Sequence, residues 1–94
     1  MPAATTASVT FLFTDIEGST ARWEHQREAM SAALVRHDEI LRSCIERRGG
    51  HVFKTVGDAF CAAFTDAVAA LDTALDAQRA LVGEDWRAFG PDFA

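Results

Sequence analysis

Length, composition and charge set the first limits on this protein. A chain of 94 residues has room for one domain with a modest core. Its hydrophobic share of 49% and charged share of 24% are those of an ordinary globular protein, which excludes disordered and low-complexity classes. Nine basic residues against fourteen acidic ones leave a net charge of −5, so we expect binding neither to nucleic acid nor to anionic membrane surfaces.

The N-terminus and the cysteines indicate the compartment. Residues 1–8 have neither a basic region nor an apolar one, so they are predicted to be a disordered lead rather than a signal peptide. No apolar run approaches the roughly 20 residues that a membrane-spanning helix needs. Two cysteines, Cys44 and Cys61, are too few for a disulfide framework. We therefore expect a cytoplasmic domain with reduced thiols.

The first predicted strand is the nearly continuous apolar run at residues 9–14. Because such a run suits a strand buried on both faces, we expect it to be central in its sheet. A turn at residues 15–20 follows, in which Gly18 permits a tight bend and Ser19 or Thr20 can cap a helix.

Residues 26–48 give the clearest helix prediction, because apolar residues recur there at i, i+3, i+4 and i+7. Gly49 and Gly50 end the pattern, and we interpret His37 as a core histidine on the apolar stripe. The predicted stripe consists of Met30, Ala33, Leu34, His37, Ile40, Leu41, Cys44 and Ile45.

Two further strands and a second helix complete the pattern. Residues 51–56 and 59–64 predict strands, which Gly57 and Asp58 join as a tight hairpin. Asp66 is placed to cap a helix over residues 67–82. Its predicted inner face consists of Val68, Leu71, Leu75, Gln78, Leu81 and Val82. The remaining residues, 83–94, predict an irregular tail, whose Phe89 and Phe93 we expect to pack on a continuation of the domain.

The order of these elements predicts an α+β fold with a ferredoxin-like split β-α-β-β-α core that lacks its last strand. In that arrangement the first and third strands pair antiparallel. Natural proteins avoid leaving an apolar strand at an open edge. We therefore expect a further segment, or another chain, to cover the first strand.

This topology predicts a pair of carboxylates at one end of the sheet. Asp15 follows the first strand and Asp58 lies in the hairpin turn. The topology therefore brings these two residues close together, although they are 43 residues apart in the sequence. Two close carboxylates repel unless a cation lies between them, and oxygen ligands of this kind suit Mg²⁺ or Mn²⁺. The backbone N–H groups of residues 16–20 open onto a helix and could hold a phosphate. Together these features favour two-metal phosphoryl or nucleotidyl chemistry.

Two motifs then carry a resemblance to a known family. Residues 13–20 (FTDIEGST), followed about 35 residues later by residues 53–60 (FKTVGDAF), resemble the class III adenylate/guanylate cyclase catalytic domain, especially its bacterial members. The resemblance covers residues 9–81, and it identifies residues 9–82 as part of a nucleotide cyclase catalytic domain.

The resemblance implies a role for each matching residue. Asp15 and Asp58 match the two aspartates that bind two ions of Mg²⁺ or Mn²⁺, and the carbonyl of Ile16 matches a further metal ligand. Lys54 matches the position that selects the purine, where lysine favours ATP over GTP. Residues matching the phosphate-binding turn are Glu17, Gly18, Ser19 and Thr20. The family works as a head-to-tail dimer with its sites at the interface, so Lys54 would serve the site whose metals the other chain holds.

The family pattern also continues beyond what this sequence can match. The second purine contact, the asparagine that orients the ribose, the arginine that stabilises the transition state and a further phosphate-binding lysine cannot be placed here. Electrostatic stabilisation of the transition state is usually the largest catalytic contribution. We therefore expect a domain of the enzyme that converts ATP to 3′,5′-cyclic AMP and pyrophosphate, with no turnover by these 94 residues alone.

Plainer interpretations compete with each of these assignments. Asp15 fits a helix N-cap, Asp58 a turn residue, and Lys54, the only lysine, a solvated strand residue. For the whole chain, the alternative is an inactive cyclase-homology module for dimerisation or nucleotide sensing. A third possibility is an oligomer that the uncovered first strand drives.

Overall fold

A computed structural model describes residues 8–16 and 18–89. Most of the predicted disordered lead, the predicted phosphate-site residue Glu17 and the tail residue Phe93 lie outside the described residues. The elements, in chain order, are strand β1 (Thr10–Phe13), helices α1 (Ser19–His25) and α2 (Arg27–Arg47), strands β2 (His51–Val56) and β3 (Ala59–Phe64), helix α3 (Ala67–Gly83) and a short 3₁₀ helix (Trp86–Ala88).

The described strands form one antiparallel sheet in the order β1-β3-β2. This confirms the predicted pairing of the first and third strands and the α+β class. The expectation that β1 is central and buried on both faces is wrong. β1 lies at an edge of the described sheet, and because the helices cover only one face, Phe11 and Phe13 are 56% and 66% exposed while Leu12 between them is half-buried.

The helix-covered face of the sheet holds the main core. Phe60, Ala62 and Phe64 alternate inward along β3, and the apolar stripe of α2 packs on them. Every member of the predicted stripe is buried except Leu34, which is half-buried. His37 is a core histidine, as predicted: its Nδ1 lies 2.9 Å from Asp38 Oδ1, and its ring meets the Phe60 ring edge-on at 6.2 Å between centroids.

The helix expected after the turn at residues 15–20 is a short separate helix, α1, which precedes α2. Gln26, at φ −141° and ψ 48°, interrupts the helical backbone between them. The predicted capping of this segment by Ser19 or Thr20 is wrong. The N-cap is Gly18 at φ 72°, a conformation that glycine adopts without steric cost, so Ser19 and Thr20 fall inside the first turn.

Close packing explains a glycine at the end of α2. A Cβ atom added to Gly50 would lie 2.5 Å from the ring of the buried Phe64 and 2.8 Å from an Ile45 methyl group. Gly50 also donates its backbone N–H to the Ile45 carbonyl at 2.9 Å. The predicted end of the helix is thus confirmed, and position 50 has no room for a side chain.

The prediction for the inner face of α3 is wrong. Asp66 caps the helix as predicted, since its Oδ1 accepts the Val68 N–H at 2.9 Å. The residues that α3 buries are small: Ala70, Thr73 and Ala77. The predicted face is exposed at Val68, Leu71, Leu75, Gln78 and Val82, and only Leu81 is half-buried. Small side chains let α3 lie close to α2 and the sheet, and the Thr73 hydroxyl is satisfied by donating to the Ala69 carbonyl at 2.8 Å.

Candidate active site

The strand register brings Asp15 and Asp58 to the same end of the sheet. Phe13 lies opposite Cys61, and the pairing continues past β1, because Thr14 N donates to Phe60 O at 3.0 Å. The Phe60 N–H in turn donates to Thr14 Oγ1 at 3.1 Å. Asp15 is the next residue on one chain segment, and Asp58 lies just before β3 on the other. Neighbouring strands are about 5 Å apart, so the predicted adjacency follows from the register.

The Asp15 side chain folds back on its own loop. Its Oδ1 accepts the Ile16 N–H at 2.9 Å, and the residue is exposed. Its other carboxylate oxygen receives no hydrogen bond from the residues that the structure describes. The Ile16 carbonyl accepts only a long bond, 3.4 Å, from Ser19 N. Within the described residues, one Asp15 oxygen thus has no partner, and the Ile16 carbonyl, which accepts one long bond, has a second lone pair for a cation.

This donor set fits a hard divalent cation. Among residues 8–16 and 18–89, no group of three or more histidine, cysteine, aspartate or glutamate side chains could hold a metal by itself. Mg²⁺ does not need such a cage, because it keeps several waters and binds through one or two carboxylates plus substrate phosphates. Two aspartates and a carbonyl are therefore a chemically adequate protein contribution.

The turn predicted to bind phosphate follows this pair directly. Gly18 enters the left-handed region, and its carbonyl accepts the Arg22 N–H at 3.3 Å, which starts α1. Ser19 is half-buried and Thr20 is exposed in the first turn of the helix. The turn thus lies beside the carboxylate pair.

Lys54 lies on the face of the sheet that the described helices leave open. The ladder of β2 and β3 is irregular between Val52 and Lys54: Val52 pairs with Ala62 and Lys54 with Cys61. Phe53 is the extra residue of this β-bulge. Because Cys61 also faces Phe13 across β3, the Lys54 backbone lies two strands, or about 10 Å, from Phe13. Lys54 is exposed.

Three phenylalanines share the open face with Lys54, and no individual site role was predicted for them. The Phe11 ring lies 5.8 Å from that of Phe53, edge to face, and 6.2 Å from that of Phe13. All three rings are substantially exposed. The available signal was the long apolar run of β1, which we interpreted as burial on both faces.

Comparison with known proteins decides the family. The family described as "Adenylate and Guanylate cyclase catalytic domain" matches residues 1–82. The chain belongs to this family. The recognition from the two motifs is confirmed, and the cyclase domain described here is homologous to adenylate cyclases.

Curated relatives of this cyclase domain include several adenylate cyclases. A receptor-type adenylate cyclase of Trypanosoma congolense is 44% identical over 85 residues, which are 90% of this chain and 11% of that protein. An adenylate cyclase of Lachancea kluyveri is 40% identical over 84 residues, 89% of this chain and 5% of that protein. The cyclase domain thus spans a small part of the curated relatives that it matches.

Solved structures agree with the fold. An adenylate cyclase of Trypanosoma brucei in its monomeric state superposes with a TM-score of 0.84 at 39% identity, over 87% of this chain and 36% of that one. A bacterial light-regulated adenylyl cyclase superposes with a TM-score of 0.72 at 30% identity, over 79% of this chain and 40% of that one. The bacterial character expected for this cyclase domain stays a prediction. No helix in the described part of the chain has the length and apolarity to cross a membrane.

Proposed function

We propose that this cyclase domain contributes the metal-binding and purine-selecting half of an enzyme that converts ATP to 3′,5′-cyclic AMP and pyrophosphate. The observation that supports it is the register that puts Asp15 and Asp58 at one end of the sheet, with Lys54 on its open face. The two curated relatives described above are adenylate cyclases, which supports ATP as the substrate.

In this proposal each residue has a distinct task. Asp15, Asp58 and the Ile16 carbonyl hold two divalent cations, Mg²⁺ or Mn²⁺. Such ions neutralise phosphate charge and lower the pKa of an attacking hydroxyl, here the ribose 3′-hydroxyl. The turn of Glu17, Gly18, Ser19 and Thr20 orients the triphosphate through backbone N–H groups. The Lys54 ammonium donates hydrogen bonds to the adenine ring.

The proposal includes a homodimer with sites at its interface. The open face carries the exposed rings of Phe11, Phe13 and Phe53 beside Lys54, and a contiguous apolar patch of this kind is typical of an interface. A second copy facing this patch would bring its Lys54 toward the other copy's aspartates. The outer edge of β1, which pairs with no strand among the described residues, would be covered by another chain. ATP and reduced thiols are consistent with a cytoplasmic location.

The first test is binding and turnover with Mn²⁺ and ATP. The purified chain should bind Mn²⁺ in the presence of ATP, and Asp15→Ala and Asp58→Ala should each weaken that binding by about tenfold or more. Asp72→Ala is the matched control, because Asp72 lies on the surface of α3, where its partner among the described residues is Arg48, at 3.6 Å. Equal binding by all four proteins would contradict the assignment of the metal site.

The turnover assay separates the two functional hypotheses. We expect no cyclic AMP from the 94-residue chain alone. Cyclic AMP should appear when a cyclase domain that carries the transition-state residues but lacks both metal aspartates is added. Nucleotide binding with no rescued turnover would favour the alternative, an inactive cyclase-homology module for dimerisation or nucleotide sensing. Light scattering that shows only a monomer at every concentration would remove the homodimer from the proposal.

A further inference from the structure

The segment that follows α3 is held by side-chain hydrogen bonds at Glu84 and Trp86. We call residues 84–89 the strap. Arg36 on α2 makes two hydrogen bonds to Glu84: Nε donates to Oε2 at 2.8 Å and Nη2 to Oε1 at 3.1 Å. The Trp86 indole N–H donates to the Leu81 carbonyl at the end of α3, at 2.7 Å. The strap therefore has a defined position against α2 and α3, although all of it was predicted to be irregular.

The aromatic residues of the strap pack on the same small cluster as Ile16 of the metal loop, which is the name we give to residues 15–20. Trp86 and Phe89 lie together, with ring centroids 5.8 Å apart, against the buried Met30 and Ala33. Ile16, the residue next to Asp15, packs against the same pair. The expectation was that Phe89 packs on a continuation of the domain. Phe89 instead packs against residues of this chain.

A cavity also connects the two regions. It has a volume of about 360 Å³, and Asp15, Ile16, Met30, His37 and Trp86 are among the residues that line it. Trp86 of the strap thus lines the same space as Asp15 and Ile16 of the candidate metal loop. A displacement of Trp86 or Phe89 would therefore alter the packing of Met30 and Ala33, against which Ile16 packs.

The metal loop has few other anchors. Beyond Thr14, the backbone of the described loop is held by the Asp15–Ile16 contact inside it and by the 3.4 Å bond from Ser19 N to Ile16 O. Among the described loop residues after Thr14, Ile16 is the one whose side chain packs against a buried cluster. Metal and catalytic groups must be held to within about 0.5 Å, which requires supporting residues that are themselves locked by packing.

We propose that the strap is a positioning device for the metal loop, in which Trp86 and Phe89 hold Ile16, and through it the Asp15 carboxylate, by way of Met30 and Ala33. The proposal rests on the proposed metal-binding function. Its two rings touch no candidate substrate or metal group, so they act only through other residues.

Phe89 offers the sharper substitution of the two rings. Trp86 packs against the main core as well as the small cluster, whereas Phe89 packs against the small cluster alone. Phe89→Ala therefore removes apolar contact from the small cluster and alters no residue that packs directly on the main core. Val52→Ala is the matched control, since half-buried Val52 packs only on the main core. Phe89→Leu keeps apolar bulk at the position and should rescue.

The experiment has two readouts on the purified chain. Amide hydrogen exchange at Ile16 and Ser19 is followed without metal, and Mn²⁺ affinity is measured by electron paramagnetic resonance. Phe89→Ala should speed exchange at these two amides and weaken Mn²⁺ binding, each by about tenfold. Val52→Ala should do neither beyond its effect on global stability, and Phe89→Leu should restore most of both.

The outcomes that overturn the proposal are specific. Unchanged exchange in Phe89→Ala, or equal changes in Phe89→Ala and Val52→Ala, would show that the strap is only part of the general packing. If the unmodified chain binds no Mn²⁺ at all, the proposed metal site fails. The exchange comparison then decides alone whether the strap positions the loop.

Discussion

Helices α2 and α3 lie on the same face of the sheet, yet they turn different surfaces toward it. α2 buries a stripe of large residues, among them Ile40, Leu41 and Ile45. α3 buries Ala70, Thr73 and Ala77, and it leaves Leu71 and Val82 61% and 83% exposed. α2 therefore buries its most apolar face. α3 instead buries a face of small side chains and leaves its larger apolar residues exposed.

The difference shows what helical periodicity can and cannot decide. Each helix has a clear apolar stripe with a period near 3.6, which is enough to predict the helix itself. For α2 the inner stripe is also the most apolar one. For α3 two stripes compete, and close approach through alanine and threonine wins over burial of leucine and valine. The contrast makes quantitative predictions for single substitutions.

The largest difference between the two helices should be in the stability lost when a leucine is shortened to alanine. Leu41→Ala removes a buried side chain, so we expect the free energy of unfolding to fall by about 2–5 kcal/mol. Leu75→Ala, on the exposed stripe of α3, should cost less than about 1 kcal/mol. Urea denaturation followed by circular dichroism measures both. Similar losses would mean that the α3 stripe is buried in solution.

Enlarging a residue on the inner face of α3 should be the next largest effect. Ala77→Leu forces extra bulk into a packed contact and should cost about 1–3 kcal/mol. Gln78→Leu makes the same helix more apolar on its exposed side, where we expect a change within about 0.5 kcal/mol. The same denaturation experiment compares them. A larger loss from Gln78→Leu would reverse the assignment of the two faces.

The ion pairs that join the two helices should give the smallest effect, and one that depends on pH. Hydrogen bonds from Arg36 hold the pKa of Glu84 below its ordinary value of 4.5, and Arg48 likewise lowers the pKa of Asp76. Because folding favours the ionised carboxylate, the stabilisation is present above the unfolded pKa and is lost as the pH falls through the folded pKa.

Comparing the wild type with Glu84→Gln tests this dependence. The wild type should be more stable at about pH 6, and the gap should close as the pH falls below about 4.5, where Glu84 takes up its proton. Solvent screens such pairs, so the gap is small. A gap that stays constant from neutral to acidic pH would assign the stabilisation to packing of the glutamate stem.

Most of the fold could be predicted because its signals are local. The hairpin at Gly57 and Asp58, the cap at Asp66 and the buried stripe of α2 follow from turn chemistry, capping and periodicity. The bounds of α1 were not predicted, because its seven residues bury no side chain completely and show no apolar period. The exposed face of β1 was missed because an apolar run does not show which of its faces the helices cover.

The candidate site was predictable for a different reason. Asp15 and Asp58 are far apart in sequence, but the split β-α-β-β-α topology fixes which strand ends coincide, so their adjacency follows from strand order alone. The strap could not be predicted. Its position depends on the contact between Arg36 and Glu84, which are 48 residues apart, and on the partners of Trp86, neither of which leaves a periodic trace.

The bulge at Phe53 has a consequence for how this strand is aligned with those of other proteins. In a regular ladder, Val52 and Lys54 would point to the same side of the sheet. The surplus residue puts Val52 on the helix side and Lys54 on the open side instead. A cyclase whose hairpin lacks the bulge would need one residue fewer to present the same lysine. In an alignment of the two sequences, the gap in the cyclase without the bulge belongs at position 53. A gap placed closer to the turn would align Lys54 with a residue of the other protein that faces its core.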